Sequence, residues 1–339
     1  MSEGPAEGTI PCAAYDVALL DLDGVVYIGP HAVDHAPDAL ARARESGMRL
    51  GFVTNNASRT SAEVAAHLVE LGVPAEPSDV VTSAQAGARL VSDRCAPGSR
   101  VLAVGGPGVA VALEEYGLRP IDAVDGGAVA VLQGFGRDVG WRQLADASLV
   151  VRGGAFWVAT NLDATLPVPG GRAPGNGMLV AAVAEAAGRR PDAVAGKPHA
   201  PLMRESVDRL RAERPLVVGD RLDTDIAGAV GLAIPSMLVL TGVTDVPTLL
   251  AATPDRRPTY VSSDLRGLRE CQPRVVQVAE DEWSARASRA RSSGGVLEVS
   301  LAPGREGWED AVRCACAAVW GTPGLDADAA AGLLAASRP

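Results

Sequence analysis

Short, unbroken apolar runs recur along the chain, and helix-like segments separate them. The clearest runs are residues 17–20, 50–53, 216–218 and 237–240. Strands that do not alternate between apolar and polar residues are buried on both faces, as in parallel sheets covered by helices. The pattern therefore predicts repeated β-α-β units and an α/β fold with a doubly wound parallel sheet.

Changes of texture along the sequence predict that the chain has several parts. Between residues 85 and 190 a second series of strand-like pieces appears, at 101–104, 129–132 and 156–159. We interpret it as an inserted α/β domain. After Gly267 a basic, Ser-rich stretch and an Ala-rich helical end predict a small α/β extension. The predicted parts are a disordered tail 1–14, a core 15–84 and 191–269, the insert 85–190 and the extension 270–339.

Charge and composition limit the classes of partner. The net charge of −10 and the pI near 5.0 argue against nucleic acid, because binding to a phosphate backbone requires clustered Lys and Arg. The sequence shows neither a signal peptide nor a membrane-spanning run. Five scattered cysteines fit a reducing compartment, and Cys314 and Cys316 are expected to pack a helix. We therefore expect a cytoplasmic protein with no nucleic-acid or membrane partner.

Two carboxylates follow the first apolar run. Asp21 and Asp23 are separated by one residue, and Gly24 comes directly after them. In open α/β sheets ligands bind at the carboxyl ends of the strands, where these side chains emerge. A single Asp in this place is usually a helix cap or a solvated turn, but a pair followed by glycine favours a functional site.

Polar residues also follow the next run and precede a later helix. Thr54, Asn55 and Asn56 offer a hydroxyl, main-chain N–H groups and amides, which are donors for phosphate, although Thr and Asn also cap helices. Lys197 follows Gly196 in a Gly-Lys-Pro sequence. Its ammonium either stabilises phosphoryl oxygens or is solvated, and solvation is the commoner case for a lysine taken alone.

The run 216–218 leads into an acidic cluster. Asp220, Asp223 and Asp225 follow Gly219 and open another helical segment. Carboxylate oxygens are hard ligands of the kind that Mg²⁺ takes. For Asp225, a charge that favours the dipole at a helix N-terminus is an equally good explanation.

These segments, in this order and each at the end of a predicted strand, resemble the haloacid dehalogenase superfamily of phosphatases. The similarity extends over about residues 15–269 and includes Gly-Asp-Arg-Leu-Asp-Thr-Asp and Gly-Lys-Pro. It implies a Rossmann-like core with an inserted α/β cap, as in the branch that contains phosphoglycolate, nitrophenyl-phosphate and glycerol-phosphate phosphatases.

The resemblance also implies a role for each residue. Asp21 is expected to be the nucleophile, and Asp23 the general acid and base. The expected phosphate-binding residues are Thr54, Asn55, Asn56 and Lys197. The expected ligands of an Mg²⁺ cofactor are the carboxylates of Asp21 and Asp220 and the carbonyl of Asp23, with Asp223 and Asp225 in the surrounding shell.

Asn161, Asp163 and Leu166 resemble the cap segment that faces the active site in these relatives, and they are the candidates for substrate specificity. Members that act on pyridoxal phosphate carry a His where Leu166 stands, so a pyridoxal substrate is not expected. The expected substrate is a small phosphorylated metabolite, with glycerol 3-phosphate ahead of 2-phosphoglycolate. Capped relatives often dimerise through the cap, so the resemblance allows a homodimer.

Other functions match parts of the sequence. An oxidoreductase is suggested by Gly106 and Gly108, but Val111 stands where a dinucleotide-binding motif has its third glycine. A phosphotransferase or mutase shares the first half of the proposed reaction. A non-catalytic scaffold would keep the fold and use the extension as its interaction surface. The extension resembles the acetyltransferase-like tails of some members without a visible acetyl-CoA loop, so we expect it to be a structural or dimer-supporting extension.

Overall fold

The structure is a computed structural model that describes residues 8–124, 127–168 and 170–339. The chain divides into two compact units. The first consists of the residues up to Leu50 together with Ala212–Pro339, and the second of Gly51–Arg211. We describe each unit by itself.

The strands of the described residues are short. In chain order they are β1 Val17–Leu20, β2 Tyr27–Ile28, β3 His31–Ala32, β4 Arg49–Thr54, β5 Val80–Thr82, β6 Arg100–Val104, β7 Arg119–Ile121, β8 Ala130–Gln133, β9 Phe156–Ala159, β10 Thr165–Val168, β11 Gly171–Pro174, β12 Ala193–Val194, β13 Pro215–Gly219, β14 Ser236–Val239, β15 Tyr260–Ser262, β16 Val276–Ala279, β17 Glu282–Ala285, β18 Ser288–Ser293 and β19 Val296–Ser300.

The α-helices are mostly amphipathic elements of about three turns. They are α1 Pro11–Ala14, α2 Ala36–Glu45, α3 Ser61–Glu70, α4 Ser83–Ser92, α5 Pro107–Glu115, α6 Trp141–Arg152, α7 Asn176–Ala187, α8 Ala200–Arg209, α9 Ala227–Gly231, α10 Val246–Leu250, α11 Gly304–Gly321 and α12 Asp328–Ala336. A π-helical turn at Leu222–Ile226 precedes α9. Among these described segments, no helix combines the length and the apolar character that crossing a membrane requires.

Parallel strands form the centre of the first unit. β1 pairs with β13, β13 with β14 and β14 with β15, all in parallel. The residues of β1 and β14 are buried throughout, so side chains on both faces of these strands are covered. The predicted apolar runs at 17–20 and 216–218, and residues 237–239 of the run 237–240, therefore lie in parallel strands, as expected.

The C-terminal extension is an antiparallel sheet packed on helices. Its strand order is β16-β17-β18-β19, and α11 and α12 contribute to the same hydrophobic core. That core also contains Leu249 and Val261 from the parallel-sheet region, next to Trp308 and Val312 of α11. The predicted α/β extension is present, but it shares its core with the rest of the unit.

Cys314 and Cys316 confirm the expected packing role of the C-terminal cysteines. Both lie in α11 and are buried. Burial raises the pKa of the Cys314 thiol to about 12, so the group is a neutral thiol at physiological pH. These cysteines therefore act as small apolar residues of the core.

A second parallel sheet organises the second unit. Its order is β12-β9-β8-β6-β7, and it contains the predicted runs 101–104 and 156–159 and residues 130–132 of the run 129–132. Trp157, fully buried, packs in its core with residues of α6 and α7. The compact unit is larger than the predicted insert, because it also includes α3, β5 and α8. The limits of the insert at residues 85 and 190 stay a prediction.

The prediction that residues 1–14 form a disordered tail is wrong for residues 8–14. Thr9 exchanges main-chain hydrogen bonds with Gln272, at 3.0 and 2.8 Å, and Pro11–Ala14 forms the short helix α1. The sequence pattern missed this order because the partner of Thr9 is far away in the chain. Residues 1–7 lie outside the described residues.

Asp16, directly before β1, allows a prediction about pH. Burial alone would raise its pKa, but the N–H groups of Glu213 and Arg214 and the Arg49 guanidinium lower it below the ordinary 3.8. A carboxyl whose pKa is lowered on folding stabilises the protein above pH 4, and this contribution is lost as the pH falls through the lowered pKa. We expect Asp16→Asn to reduce the free energy of unfolding by about 1 kcal/mol at pH 7. Urea unfolding at pH 7 and pH 3 should show the difference shrinking at low pH, and a difference independent of pH would contradict the assignment.

Candidate active site

The first candidate residues lie at the carboxyl end of β1. The Asp21 N–H donates to the Val218 carbonyl at 2.9 Å, which continues the pairing of β1 with β13. The side chain of Asp21 is half-buried, whereas that of Asp23 is exposed. The chain turns at Gly24, where φ is +86°, a value that favours glycine. The Gly24 carbonyl accepts a hydrogen bond from Thr241 Oγ1 at 2.5 Å.

Asp220 is completely buried at the end of β13, and glycines surround its carboxylate. A Cβ atom at Gly24 would lie 2.6 Å from Asp220 Oδ2, and one at Gly242 would overlap the same group. The Val243 N–H donates to Oδ2 at 2.7 Å. Residues larger than glycine at positions 24 and 242 would overlap the Asp220 carboxylate. The close approach of these two glycines therefore holds the carboxylate in one position.

Three carboxylates come together in the first unit. Asp21, Asp220 and Asp225 each offer one oxygen, and these oxygens lie within 4.8 Å of one another. Carboxylates this close repel one another unless a cation compensates their charge. Hard oxygen donors of this kind suit Mg²⁺, which binds through few carboxylates and keeps several waters. The residues of this acidic group therefore fit the expected metal.

Asp225 differs from its expected place in the surrounding shell, because its carboxylate belongs to the acidic group. Its burial is nearly complete, and the Arg221 N–H donates to Oδ2 at 3.2 Å. The π-helical turn Leu222–Ile226 carries Asp225 back toward the end of β13, where a Cβ on Gly219 would overlap it. Sequence spacing alone does not show such a turn.

Asp223 is directed differently from Asp225. Its carboxylate accepts hydrogen bonds from Arg221 Nε at 3.0 Å and Nη2 at 2.8 Å. This guanidinium lowers the pKa of Asp223, which is therefore ionised. The residue is exposed, and its role around a metal stays a prediction, as does the contribution of the Asp23 carbonyl.

The phosphate-binding candidates of the second unit begin at the end of β4. Thr54 is buried, and its Oγ1 accepts a hydrogen bond from the Asn56 N–H at 3.0 Å. The Asn56 side chain accepts from the N–H and the hydroxyl of Ser58, at 2.9 and 2.8 Å. Asn56 therefore stabilises the turn that follows β4. Phosphate binding by Thr54 and Asn56 stays a prediction.

Lys197 is buried, unlike most lysines. Its ammonium donates to the Val53 carbonyl in β4 at 3.1 Å, and its main-chain N–H donates to Asn55 Oδ1 at 2.8 Å. The structure thus brings together Lys197 and the Thr54–Asn56 segment that the sequence separates by more than a hundred residues. A buried ammonium is suited to an anionic ligand.

Two of the three specificity candidates join this arrangement. Asn161 is buried and donates to the Asn55 carbonyl at 2.7 Å, and Asp163 accepts from Asn55 Nδ2 at 3.2 Å. Leu166 lies in the hairpin of β10 and β11, opposite Ala173. Asn176, at the start of α7, donates to the Asn161 carbonyl at 2.8 Å and supports the segment.

Several residues of the candidate site were missed by the sequence analysis. Thr241, Gly242 and Val243 follow β14, just as the other site residues follow β1, β4 and β13. A polar residue and a glycine after a predicted strand were the available signal. Gly106 and Gly108 have a structural explanation, because Cβ atoms there would overlap the main chain of residues 57–59. These glycines allow close packing of α5.

Comparisons with known proteins show what the chain is similar to. The sequence profile described as haloacid dehalogenase-like hydrolase matches residues 18–119, and a related hydrolase profile matches residues 194–268. The chain is 46% identical over 269 residues to D-glycerol 3-phosphate phosphatase of Mycobacterium tuberculosis, covering 79% of this chain and 75% of that protein. It is 36% identical over 253 residues to acid sugar phosphatase of Staphylococcus haemolyticus, covering 74% and 94%.

Solved structures show the same similarity. Glycerol phosphate phosphatase from M. tuberculosis in complex with magnesium has a TM-score of 0.83 and 42% identity, covering 94% of this chain and 93% of that one. p-Nitrophenyl phosphatase from Archaeoglobus fulgidus has a TM-score of 0.69 and 28% identity, covering 75% and 98%.

Proposed function

Because the chain belongs to the haloacid dehalogenase-like hydrolases and is a phosphatase, we propose that it hydrolyses glycerol 3-phosphate with Mg²⁺ as cofactor and Asp21 as nucleophile. The extent of the similarity carries the choice of substrate. The glycerol phosphate phosphatase structure matches 94% of this chain, whereas the nitrophenyl phosphatase structure matches 75%. 2-Phosphoglycolate is the second candidate.

Charge is the first obstacle to the reaction. A phosphate monoester is a dianion, so a carboxylate nucleophile is repelled unless cations neutralise the phosphoryl oxygens. Mg²⁺ held by Asp21, Asp220 and Asp225 would supply charge neutralisation and polarise a phosphoryl oxygen. The ammonium of Lys197 adds a fixed positive charge from the end of β4.

The proposed chemistry proceeds in two steps. An Asp21 carboxylate oxygen attacks phosphorus, the bond from phosphorus to the glycerol oxygen breaks, and Asp23 gives its proton to that oxygen. The Asp23 carboxylate then takes a proton from water, whose oxygen attacks the aspartyl-phosphate. Inorganic phosphate leaves and Asp21 is regenerated. The exposed side chain of Asp23 can exchange protons with solvent and substrate in both steps.

Phosphate release from a panel of substrates tests the proposal. We expect the highest kcat/KM for glycerol 3-phosphate, compared with 2-phosphoglycolate, pyridoxal phosphate and mononucleotides. Removal of divalent ions with EDTA should abolish release, and excess Mg²⁺ should restore it. Product analysis separates hydrolysis, which yields inorganic phosphate, from transfer to a sugar, which yields a phosphorylated acceptor. Absence of release from every compound would contradict the phosphatase function and favour a scaffold.

A further inference from the structure

Asn55 occupies a junction between Lys197 and the segment that contains Asn161 and Asp163. Its side-chain Oδ1 accepts from the Lys197 N–H at 2.8 Å, and its Nδ2 donates to the Lys197 carbonyl at 3.1 Å. The same Nδ2 donates to Asp163 Oδ2 at 3.2 Å. The Asn55 side-chain amide therefore makes hydrogen bonds to both the main-chain N–H and the main-chain carbonyl of Lys197.

The hydrogen-bonding capacity of an amide limits what else Asn55 can do. An asparagine side chain has two N–H donors, and here they serve the Lys197 carbonyl and the Asp163 carboxylate. Phosphoryl oxygens accept hydrogen bonds and need donors. The Asn55 side chain is therefore poorly suited to the direct phosphate contact that the sequence suggested, and well suited to holding its neighbours.

The surroundings of Asn55 hold it in a single position. Its carbonyl accepts from Ser83 Oγ at 2.6 Å and from Asn161 Nδ2 at 2.7 Å. A Cβ atom on Gly196 would lie 2.6 Å from Asn55 Oδ1, so only glycine allows the main chain before Lys197 to approach this closely.

We propose that Asn55 is a positioning residue that acts through Lys197, holding its main chain so that the ammonium is placed for the transferred phosphoryl group. This inference rests on the proposed function. Lysine is otherwise a flexible side chain with several rotatable bonds. Here Asn55 fixes the main chain of Lys197, and the Lys197 ammonium donates a hydrogen bond to the Val53 carbonyl at 3.1 Å. Loss of Asn55 releases one of these two restraints.

A double-mutant cycle tests this role. We expect Asn55→Ala to lower kcat by about 10- to 100-fold, as is typical when a residue that orients an active group is lost. Lys197→Ala should lower kcat by about 10³-fold. The double variant should be no worse than Lys197→Ala within about threefold, because Asn55 has nothing left to position. A loss equal to the product of the single effects would show that Asn55 acts independently and would overturn the inference.

A comparison of substrates separates Lys197 from Asp163 as the partner that matters. Glycerol 3-phosphate and nitrophenyl phosphate share the phosphoryl group but differ in the leaving group. If Asn55 acts through Lys197, its variant should lose the same factor in kcat on both substrates within about threefold, since the loss concerns charge at the phosphoryl group. A loss confined to glycerol 3-phosphate would assign the effect to Asp163 and overturn the inference.

Control variants distinguish positioning from general damage. Tyr116→Phe removes a hydrogen bond to the buried Glu205 in the same unit, and it should lower the melting temperature but leave kcat unchanged. Gly196→Ala should reproduce the kcat loss of Asn55→Ala without altering the amide itself, and unchanged kcat in that variant would count against the inference. Wild-type protein that releases no phosphate from either compound would overturn the proposed function as well.

Discussion

Replacement of Asp21 by Asn is expected to reduce kcat for phosphate release by about 10⁴-fold or more, the scale seen when an enzyme loses its nucleophile. The amide is neutral and does not attack phosphorus, so the covalent intermediate cannot form. The substitution also removes one of the three carboxylates of the acidic group and should weaken metal binding. Steady-state phosphate release at saturating Mg²⁺ measures the effect.

Unfolding of the variant is not expected to cause this loss of activity, and the free energy of unfolding of Asp21→Asn, measured beside wild type, checks this. Carboxylates within 4.8 Å of one another repel in the absence of a cation, so the metal-free Asp21→Asn protein should be at least as stable as wild type. Asp16→Asn is the matched control, because Asp16 and Asp21 flank β1 and both substitutions remove one negative charge. Asp16→Asn should retain activity. Activity in Asp21→Asn within tenfold of wild type would exclude Asp21 as the nucleophile.

Replacement of Glu309 by Ala is expected to reduce the free energy of unfolding by about 3–5 kcal/mol, because it breaks a buried ion-pair network from one side. The Glu309 carboxylate, 2% exposed, accepts from the Ser263 N–H at 2.8 Å and the Ser263 hydroxyl at 2.6 Å. It also accepts from Arg305 at 2.8 Å and Arg313 at 3.3 Å. Alanine would leave the Ser263 N–H without this acceptor and would remove one of the two carboxylates that bind Arg313, which keeps Asp310 at 2.6 Å.

Urea unfolding of Glu309→Ala beside a matched variant measures this effect. Glu306 lies almost one turn earlier in α11, and its exposed carboxylate binds Arg286. Exposed pairs of this kind contribute less than about 1 kcal/mol, so Glu306→Ala should be nearly neutral. The dependence of the unfolding free energy on urea should be unchanged in both proteins. A loss below about 1 kcal/mol in Glu309→Ala would show that the network does not join the extension to the rest of the unit.

The C-terminal extension covers part of the core of the first unit. The match to the staphylococcal acid sugar phosphatase covers 94% of that protein but only 74% of this chain, so a related phosphatase folds at a shorter length. In this chain α11 covers Leu249 and Val261, and Glu309 binds Ser263. The extension therefore covers part of the core surface in this chain, and its structural or dimer-supporting role stays a prediction.

The parallel strands and the polar segments after them were predictable from local sequence. An unbroken apolar run such as 17–20 indicates a strand buried on both faces, and in α/β sheets the carboxyl ends of strands carry the ligands. This reasoning favoured the Asp21–Asp23 pair, whereas Thr54 and Asp220 received their expected roles from the family resemblance. Asn55 was selected too, as a phosphate ligand; the contacts of its side-chain amide favour a positioning role for that amide, and phosphate binding by its main-chain N–H stays a prediction.

The amino-acid sequence by itself determined the parallel-strand architecture, the family and the segments of the candidate site, because periodicity, glycine positions and strand ends are properties of neighbouring residues. Only the tertiary structure decided that Asp225 joins Asp21 and Asp220, that Asn55 binds Lys197 across 142 residues, and that Glu309 ties α11 to Ser263. Such contacts depend on how distant segments pack, and a local sequence pattern does not predict which donor will bind which acceptor.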